Sequence, residues 1–421
     1  MPVDKSQIKE IQSAVVDGIE LTAEWNRMFD QRTVFEYDST GCMDKITDLD
    51  GGESMGWCYQ CGQCVPTCPV DIVGGDYGPL RVFRKLQRGI DLLNDPDLWK
   101  CTTCANCLRV CPKEVDMIKI MPAARAEAVL DGNAPKELQA VFESTLEYGN
   151  PLGESPRKRV DWVAQTNSTA PLIKELGRPV DLLWYVGSYP SYHPRGKDAS
   201  RALAKMLNLL GADFAILGTE EKDDCDSMRL AGEVGLFEEF AEYNIKTFKR
   251  YKFNKILLTD PHALNAFRKE YPKYGGNFEV VHYSTFLAPL MDKFNFTKKL
   301  NYTVTFHDPC YLGRHNGEYE SPRNVLKAIP GINLIEMGRC KQNSFCCGGG
   351  GGGMWLDGFM ADHVNERLSE KRVREAVETG ADVLAVCCPY EVSRFEDAVK
   401  STGNEGKLIV RDIVELMEEA L

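Results

Sequence analysis

The sequence predicts a mixed α/β chain in which a helical cysteine-rich domain is followed by two parallel α/β repeats. Three observations predict it. Short β-rich runs at 181–187, 255–259, 302–306 and 382–386 alternate with amphipathic segments, the pattern of parallel sheets flanked by helices. Strand-end positions recur in the second half, since Ser188 to Asp224 and Cys310 to Cys346 are both 36 residues apart. Before residue 145, eight cysteines fall in two matching runs among segments of helical periodicity.

Taken in order, residues 1–50 place Ile8, Ile11, Val15 and Ile19 at helical spacing, which predicts an N-terminal amphipathic helix that covers the next domain or docks a partner. Cys42 stands apart from the other cysteines and reads as a free thiol. Residues 51–145 form the cysteine-rich domain, in which 78–88 and 121–130 read as helices, the second with Pro122 near its first turn. Residues 146–180 read as a linker, because 149–179 is rich in Pro, Gly, Ser and charge without sustained periodicity. Residues 181–298 and 299–421 are the two repeats. Ser188 corresponds to Cys310, Asp224-Cys225 to Cys346-Cys347, Asp260 to Cys388 and Ala263 to Glu391; Asp260-Pro261-His262 mirrors Cys388-Pro389-Tyr390.

The cysteine runs are Cys58-x2-Cys61-x2-Cys64-x3-Cys68-Pro69 and Cys101-x2-Cys104-x2-Cys107-x3-Cys111-Pro112. They predict two [4Fe–4S] clusters and a protein that moves electrons. Three cysteines at two-residue gaps wrap a loop around one cube while the fourth leaves in another direction, and in two-cluster ferredoxins that fourth cysteine ligates the other cluster. On that pattern Cys58, Cys61, Cys64 and Cys111 hold one cube, and Cys101, Cys104, Cys107 and Cys68 hold the second. Pro69 and Pro112 stop the backbone from continuing as helix. Zinc is the competing reading of CxxC pairs, but two complete sets ending in Cys-Pro match the iron–sulfur run and not a zinc ribbon.

Length and composition narrow the class. A chain of 421 residues exceeds one ordinary core. With 43% hydrophobic and 27% charged residues it reads as globular, and a formal charge of −12 without a basic patch speaks against nucleic acid or an anionic membrane surface as a direct partner. The first 21 residues lack an apolar signal core, and no run approaches the ~18 apolar residues of a membrane span. The expectation is a cytoplasmic protein without a direct span, attached at the inner face of a membrane, if at all, through another subunit. Sixteen cysteines in that setting mean metal or redox chemistry sooner than disulfides.

The second repeat carries a further constellation. His307-Asp308-Pro309-Cys310 is followed by Cys346-Cys347 with six glycines, Gly348 to Gly353, and then by Cys387-Cys388-Pro389. Cysteines from separate strand ends converge at the carboxyl edge of a parallel sheet, where open α/β folds place ligands. Glycine lets backbone N–H groups approach anionic sulfur closely. The competing reading of Cys346-Cys347 is a buried or redox-active thiol pair without metal. His307 and His315 flank the constellation and can donate protons to a departing thiolate, or can simply be bonded to strand ends.

The segments HDPCYLGRHNG, NSFCCGGGG and ADVLAVCCPY resemble the CCG domain of heterodisulfide reductases. Two ferredoxin-type runs joined to two such Rossmann-like repeats resemble the D-subunit of heterodisulfide reductase and its relative DsrK over about residues 55–421. The resemblance implies a non-cubane [4Fe–4S] cluster in the second repeat, with Cys310, Cys346, Cys347 and Cys388 as ligand and catalytic candidates and His307 as a catalytic candidate. The family's final Cys-x-x-Cys stands here as Cys388-Pro389-Tyr390-Glu391, so Cys387 and Cys340 compete for the missing position and Glu391 can fill it with oxygen. In the first repeat Ser188, Asp224, Asp260 and Ala263 replace cysteines and only Cys225 remains, which implies a structural partner without a cluster. An oxygen-ligated metal at Asp223, Asp224 and Asp260 competes there with plain solvated acids.

The function implied is an oxidoreductase subunit that passes electrons through two cubes to a site where a disulfide-type bond of a small thiol or a sulfur-carrier protein is reduced or formed. A membrane cytochrome b or a soluble flavin or iron–sulfur subunit is the implied redox partner. The alternative is an electron-relay or scaffold subunit with no substrate site. A related reading is an iron–sulfur oxidoreductase serving a dehydrogenase or an electron-transfer flavoprotein.

Overall fold

A computed structural model describes the backbone of 14–16 and 19–21, and residues 41–88, 90–165 and 168–421. At the N-terminus it corrects the helical reading: Ala14–Val16 (β1) and Ile19–Leu21 (β2) pair as an antiparallel hairpin. β-Branched residues at 15, 16 and 19 lose side-chain freedom in a helix and favour this extended form. Ile8 and Ile11 lie outside the described residues.

The cysteine-rich region is helical, with Pro79–Gln87, Met117–Leu130 and Lys136–Tyr148 as its main helices. Pro79 opens the first, where its missing N–H costs nothing, and Val82, Phe83 and Leu86 form the buried face while Arg81 and Arg84 stay outside. Helix Met117–Leu130 starts earlier than its proline suggested, because Asp116 accepts a hydrogen bond from Ile118 N at 3.2 Å, so Pro122 sits inside the helix.

Residues 149–179 are a packed strap and not the linker expected. Trp162 is fully buried, edge-on to Trp184 at 5.4 Å, and the buried Arg159 guanidinium lies 2.6 Å from Glu221 Oε1. Irregular backbone pinned by single large anchors leaves no periodicity to read.

Two four-stranded parallel sheets follow. The first contains Val180–Tyr185 (β3), Phe214–Ile216 (β4), Phe253–Leu258 (β5) and Val280–His282 (β6) in the order β4-β3-β5-β6. The second contains Tyr302–Phe306 (β7), Ile332–Ile335 (β8), Val383–Val386 (β9) and Ile409–Asp412 (β10) in the order β8-β7-β9-β10. The order is the same in both, with Leu182 level with Lys255 and Val304 level with Val383. One continuous apolar core takes in residues of both sheets, and Tyr283 Oη donates to Asp412 Oδ1 at 2.8 Å across the repeats. The architecture is therefore mixed α/β, with two parallel sheets and a helical unit before them.

Candidate iron–sulfur sites

Both ferredoxin-type runs adopt the same unusual backbone. Gln60 and Gly62 in the first, and Thr103 and Ala105 in the second, have φ of 62°, 80°, 49° and 64°, so matching positions on either side of the second cysteine turn left-handed. Three of these are not glycine, and such a conformation persists only where the surroundings require it. Here it turns the sulfurs toward one centre.

A surface pocket is lined by Cys58, Cys61, Cys64 and Cys111, together with Cys107. Cys68, whose thiol burial pushes up to about 12, lies beside Cys101, and Cys107 is raised by its burial and by Cys101, Cys68 and Cys64 around it. Each run thus lends its last cysteine to the other's loop. Backbone N–H groups of Thr103 and Val115 reach Cys101 Sγ and Cys111 Sγ at 3.4 Å, ready to stabilise thiolates. Among the described residues the one trio of ligand atoms within 4.8 Å of each other lies elsewhere, so these sulfurs stand wider than the edges of a single zinc tetrahedron, which Zn–S bonds of ~2.3 Å would set. Two sets of four cysteines are the donor number that two cubes need. Cys111 ends the short helix Asn106–Val110 before Pro112, whereas Pro69 opens a new helix, Pro69–Ile72.

In the second repeat the loops after β7, β8 and β9 bring the third group together. Cys346 Sγ accepts hydrogen bonds from the thiols of Cys104, Cys310 and Cys347, which hold it well below the ordinary thiol value. Gly348 N adds a bond to the same sulfur at 3.3 Å. Cys388 caps helix Pro389–Ser401, and Glu391 on its first turn is buried beside it. His307, Cys347 and Glu391 are the trio within 4.8 Å, and His307 Nε2 lies 3.1 Å from Glu391 Oε1. Burial lifts the Glu391 carboxyl far above the carboxylate range, as expected for a charge denied water.

The position of Cys104 joins the two regions, because its thiol contacts Cys346 while Cys107 is also a neighbour. Several anchors hold this contact. Arg314 Nε donates to Cys104 O at 2.6 Å, His315 Nε2 lies 2.9 Å from Thr103 O, and Thr103 Oγ1 meets Tyr311 Oη at 2.8 Å. Buried Arg125 donates to Cys101 O at 2.7 Å and Gly351 O at 2.8 Å. The glycine run serves this approach as much as the sulfurs: a Cβ on Gly350 or Gly351 would lie 2.5 Å from Thr102 O or Cys101 O. Among the predicted glycines, only Gly348 reaches a sulfur with its N–H.

Of the remaining candidates His307 belongs to the group, and the others take different roles. Cys387 is fully buried in the apolar core, as alternation along the strand end demands once Cys388 faces the site. Cys340 is half-buried on the rim of a surface pocket with Lys341 and Gln342, and its nearest charges are Glu336 and Asp308, not site sulfurs. His315 is a structural clamp, its ring pushed down to about 3 by burial and held on the Thr103 carbonyl. His307 is 1% exposed and its Nδ1 accepts from Arg372 Nε at 3.0 Å. Cys42 is buried. The acids of the first repeat are buried and not solvated, and each caps a turn: Asp223 accepts from Cys225 N, Asp224 from Asp226 N and Asp260 from His262 N.

Residues 57–115 match the family described as 4Fe-4S dicluster domain, and residues 304–390 match the one described as Cysteine-rich domain, or CCG. The chain is 31% identical over 399 residues to the D-subunit of the dihydromethanophenazine:CoB–CoM heterodisulfide reductase of Methanosarcina barkeri, covering 86% of this chain and 93% of that one. The chain belongs to the heterodisulfide reductase D-subunit family. Two further relatives of this family member are longer. They are the probable iron-sulfur-binding oxidoreductase FadF of Bacillus subtilis, 36% identical, and the EtfAB:quinone oxidoreductase of Syntrophomonas wolfei, 34% identical; each match covers 79% of this chain and 47% of the relative. The chain therefore spans about half the length of those curated relatives. A crystal structure of a hypothetical protein from Helicobacter pylori shares 11% identity at a TM-score of 0.48, covering 94% of this chain and 75% of that one. No helix among the described residues is long and apolar enough to cross a membrane.

Proposed function

We propose that this family member is an iron–sulfur oxidoreductase subunit with three stations in line. The first is the Cys58, Cys61, Cys64, Cys111 set, the second the Cys101, Cys104, Cys107, Cys68 set, and the third a non-cubane cluster held by Cys310, Cys346, Cys347 and Cys388. When bound, the clusters supply one-electron transfer. The observation that carries this reading is the contact of Cys104 with Cys346, which leaves no protein layer between the second set and the third.

The chain's own residues give the line a direction. Cys61 is exposed, flanked by Trp57 and Tyr59 that are 56% and 58% exposed, so a redox partner meets the first set at the surface. The sulfurs of the third site are at most 8% exposed, which excludes water and strengthens every charge interaction there. Thr103, Tyr311, Arg314 and Arg125 fix the second loop against the third site and keep the transfer distance constant. At the third site, a disulfide-type bond of a thiol substrate or sulfur-carrier protein is reduced or formed, two electrons and two protons being needed to convert one disulfide to two thiols.

The second reading is a relay between a flavoprotein and a quinone-reactive partner. It draws on the names of the two longer relatives and on the near-complete burial of the third-site sulfurs. Anaerobic EPR of the oxidised chain, with and without small thiols, separates the two. A third signal that changes with thiol supports sulfur chemistry, and one indifferent to every thiol supports the relay.

A further inference from the structure

The third site leaves one carboxylate oxygen without an explanation. Glu391 is 1% exposed, its Oε2 has no hydrogen-bond partner, and no Lys or Arg pairs with it among the described residues. Its position is that of the last cysteine in the family's Cys-x-x-Cys, two residues after Pro389 on the first turn of a helix capped by Cys388.

The neighbouring histidine decides what this oxygen can do. Arg372 Nε–H points at His307 Nδ1 from 3.0 Å, and a guanidinium has no acceptor. Nδ1 must therefore carry the lone pair, and the neutral ring bears its hydrogen on Nε2. Nε2 lies 3.1 Å from Glu391 Oε1 but is not aligned for a hydrogen bond with it, and with its hydrogen on Nε2 the ring has no lone pair there for a metal. Arg372 is itself pinned by Glu375 Oε2 and Arg339 O, both at 2.8 Å. Arg372 thus fixes the His307 ring beside Oε1, Oε2 has no partner, and the Glu391 carboxylate belongs to the same 4.8 Å group as Cys347 Sγ.

We propose that Glu391 is an oxygen ligand to iron in the third cluster, in place of the family's last cysteine, with His307 and Arg372 as positioning residues. The proposal rests on the three-cluster reading. A carboxylate is a harder ligand than thiolate, so this corner of the site differs chemically from the four held by sulfur.

The test uses the full chain purified anaerobically, as wild type, Glu391→Ala, Glu391→Gln and His307→Gln, read by iron content and EPR. Wild type should hold about twelve irons, three clusters of four. Glu391→Ala should lose iron toward about eight and lose the third signal, with both ferredoxin-type signals kept. Glu391→Gln, close in shape, and His307→Gln should shift the third signal without touching the other two. Wild-type iron near eight would overturn the three-cluster reading and the ligand assignment with it. Wild type with about twelve irons and a third signal identical in Glu391→Ala and Glu391→Gln would overturn the ligand assignment alone. If Glu391→Ala fails to fold, Glu391→Gln decides: a shifted signal supports the ligand, an unchanged one refutes it.

Discussion

The two repeats share one strand order and differ at the same few strand ends, where the second presents Cys310, Cys346-Cys347, Cys388 and Glu391 and the first Ser188, Asp224-Cys225, Asp260 and Ala263. Strand order alone therefore does not set what the strand ends can bind. In the first repeat Asp260 caps its helix by accepting from His262 N, whereas Cys388 at the equivalent N-cap makes no side-chain bond to its helix. The position proposed as a ligand in the second repeat is thus a capping position in the first. Tyr283 on Asp412 ties the first repeat to the second, and Glu221 on Arg159 ties it to the strap.

The sharpest way to break the comparison is to disturb the one thing the second repeat has besides ligands, its close contact with the ferredoxin-type loop. Gly351 has φ +61° and a Cβ there would meet Cys101 O at 2.5 Å, whereas a Cβ on Gly349 would meet Cys347 Sγ at an ordinary 3.7 Å. Gly351→Ala should destabilise the chain by about 1–3 kcal/mol and slow electron passage from the second set to the third. Gly349→Ala should do neither. Denaturant unfolding and stopped-flow reduction monitored by EPR check both.

A smaller effect tests the first repeat. Burial raises the Asp260 carboxyl from its ordinary value to about 6. A carboxyl raised on folding contributes stability fully below its unfolded value, and loses it as pH rises through the folded one. Asp260→Asn keeps a capping side chain and removes the titration. The variant should match wild type near pH 4 and gain on it up to about pH 6, by on the order of 2 kcal/mol. Equal slopes of stability against pH would show that Asp260 is not held as described.

Much of this was legible in residue order because ligand chemistry is local. The eight ferredoxin-type cysteines and the central strands β3, β5, β7 and β9 could be read directly. The edge strands β4, β6, β8 and β10 could not: β4 and β6 are three residues long, and β8 and β10 are only partly buried, unlike the equally short but fully buried β9. The strap anchored by Trp162 and Arg159 reads as a linker for want of periodicity. The roles of His307 and the glycine run depend on Arg372 and on the Cys101 and Thr102 carbonyls, partners far off in sequence that no spacing rule connects.

The central claim, that the second repeat holds a cluster and the first does not, is tested most directly by iron per chain in wild type, Cys347→Ser and Cys225→Ser. The account predicts about twelve, about eight and about twelve irons, with the two ferredoxin-type EPR signals intact in all three. About eight irons in all three proteins would contradict it.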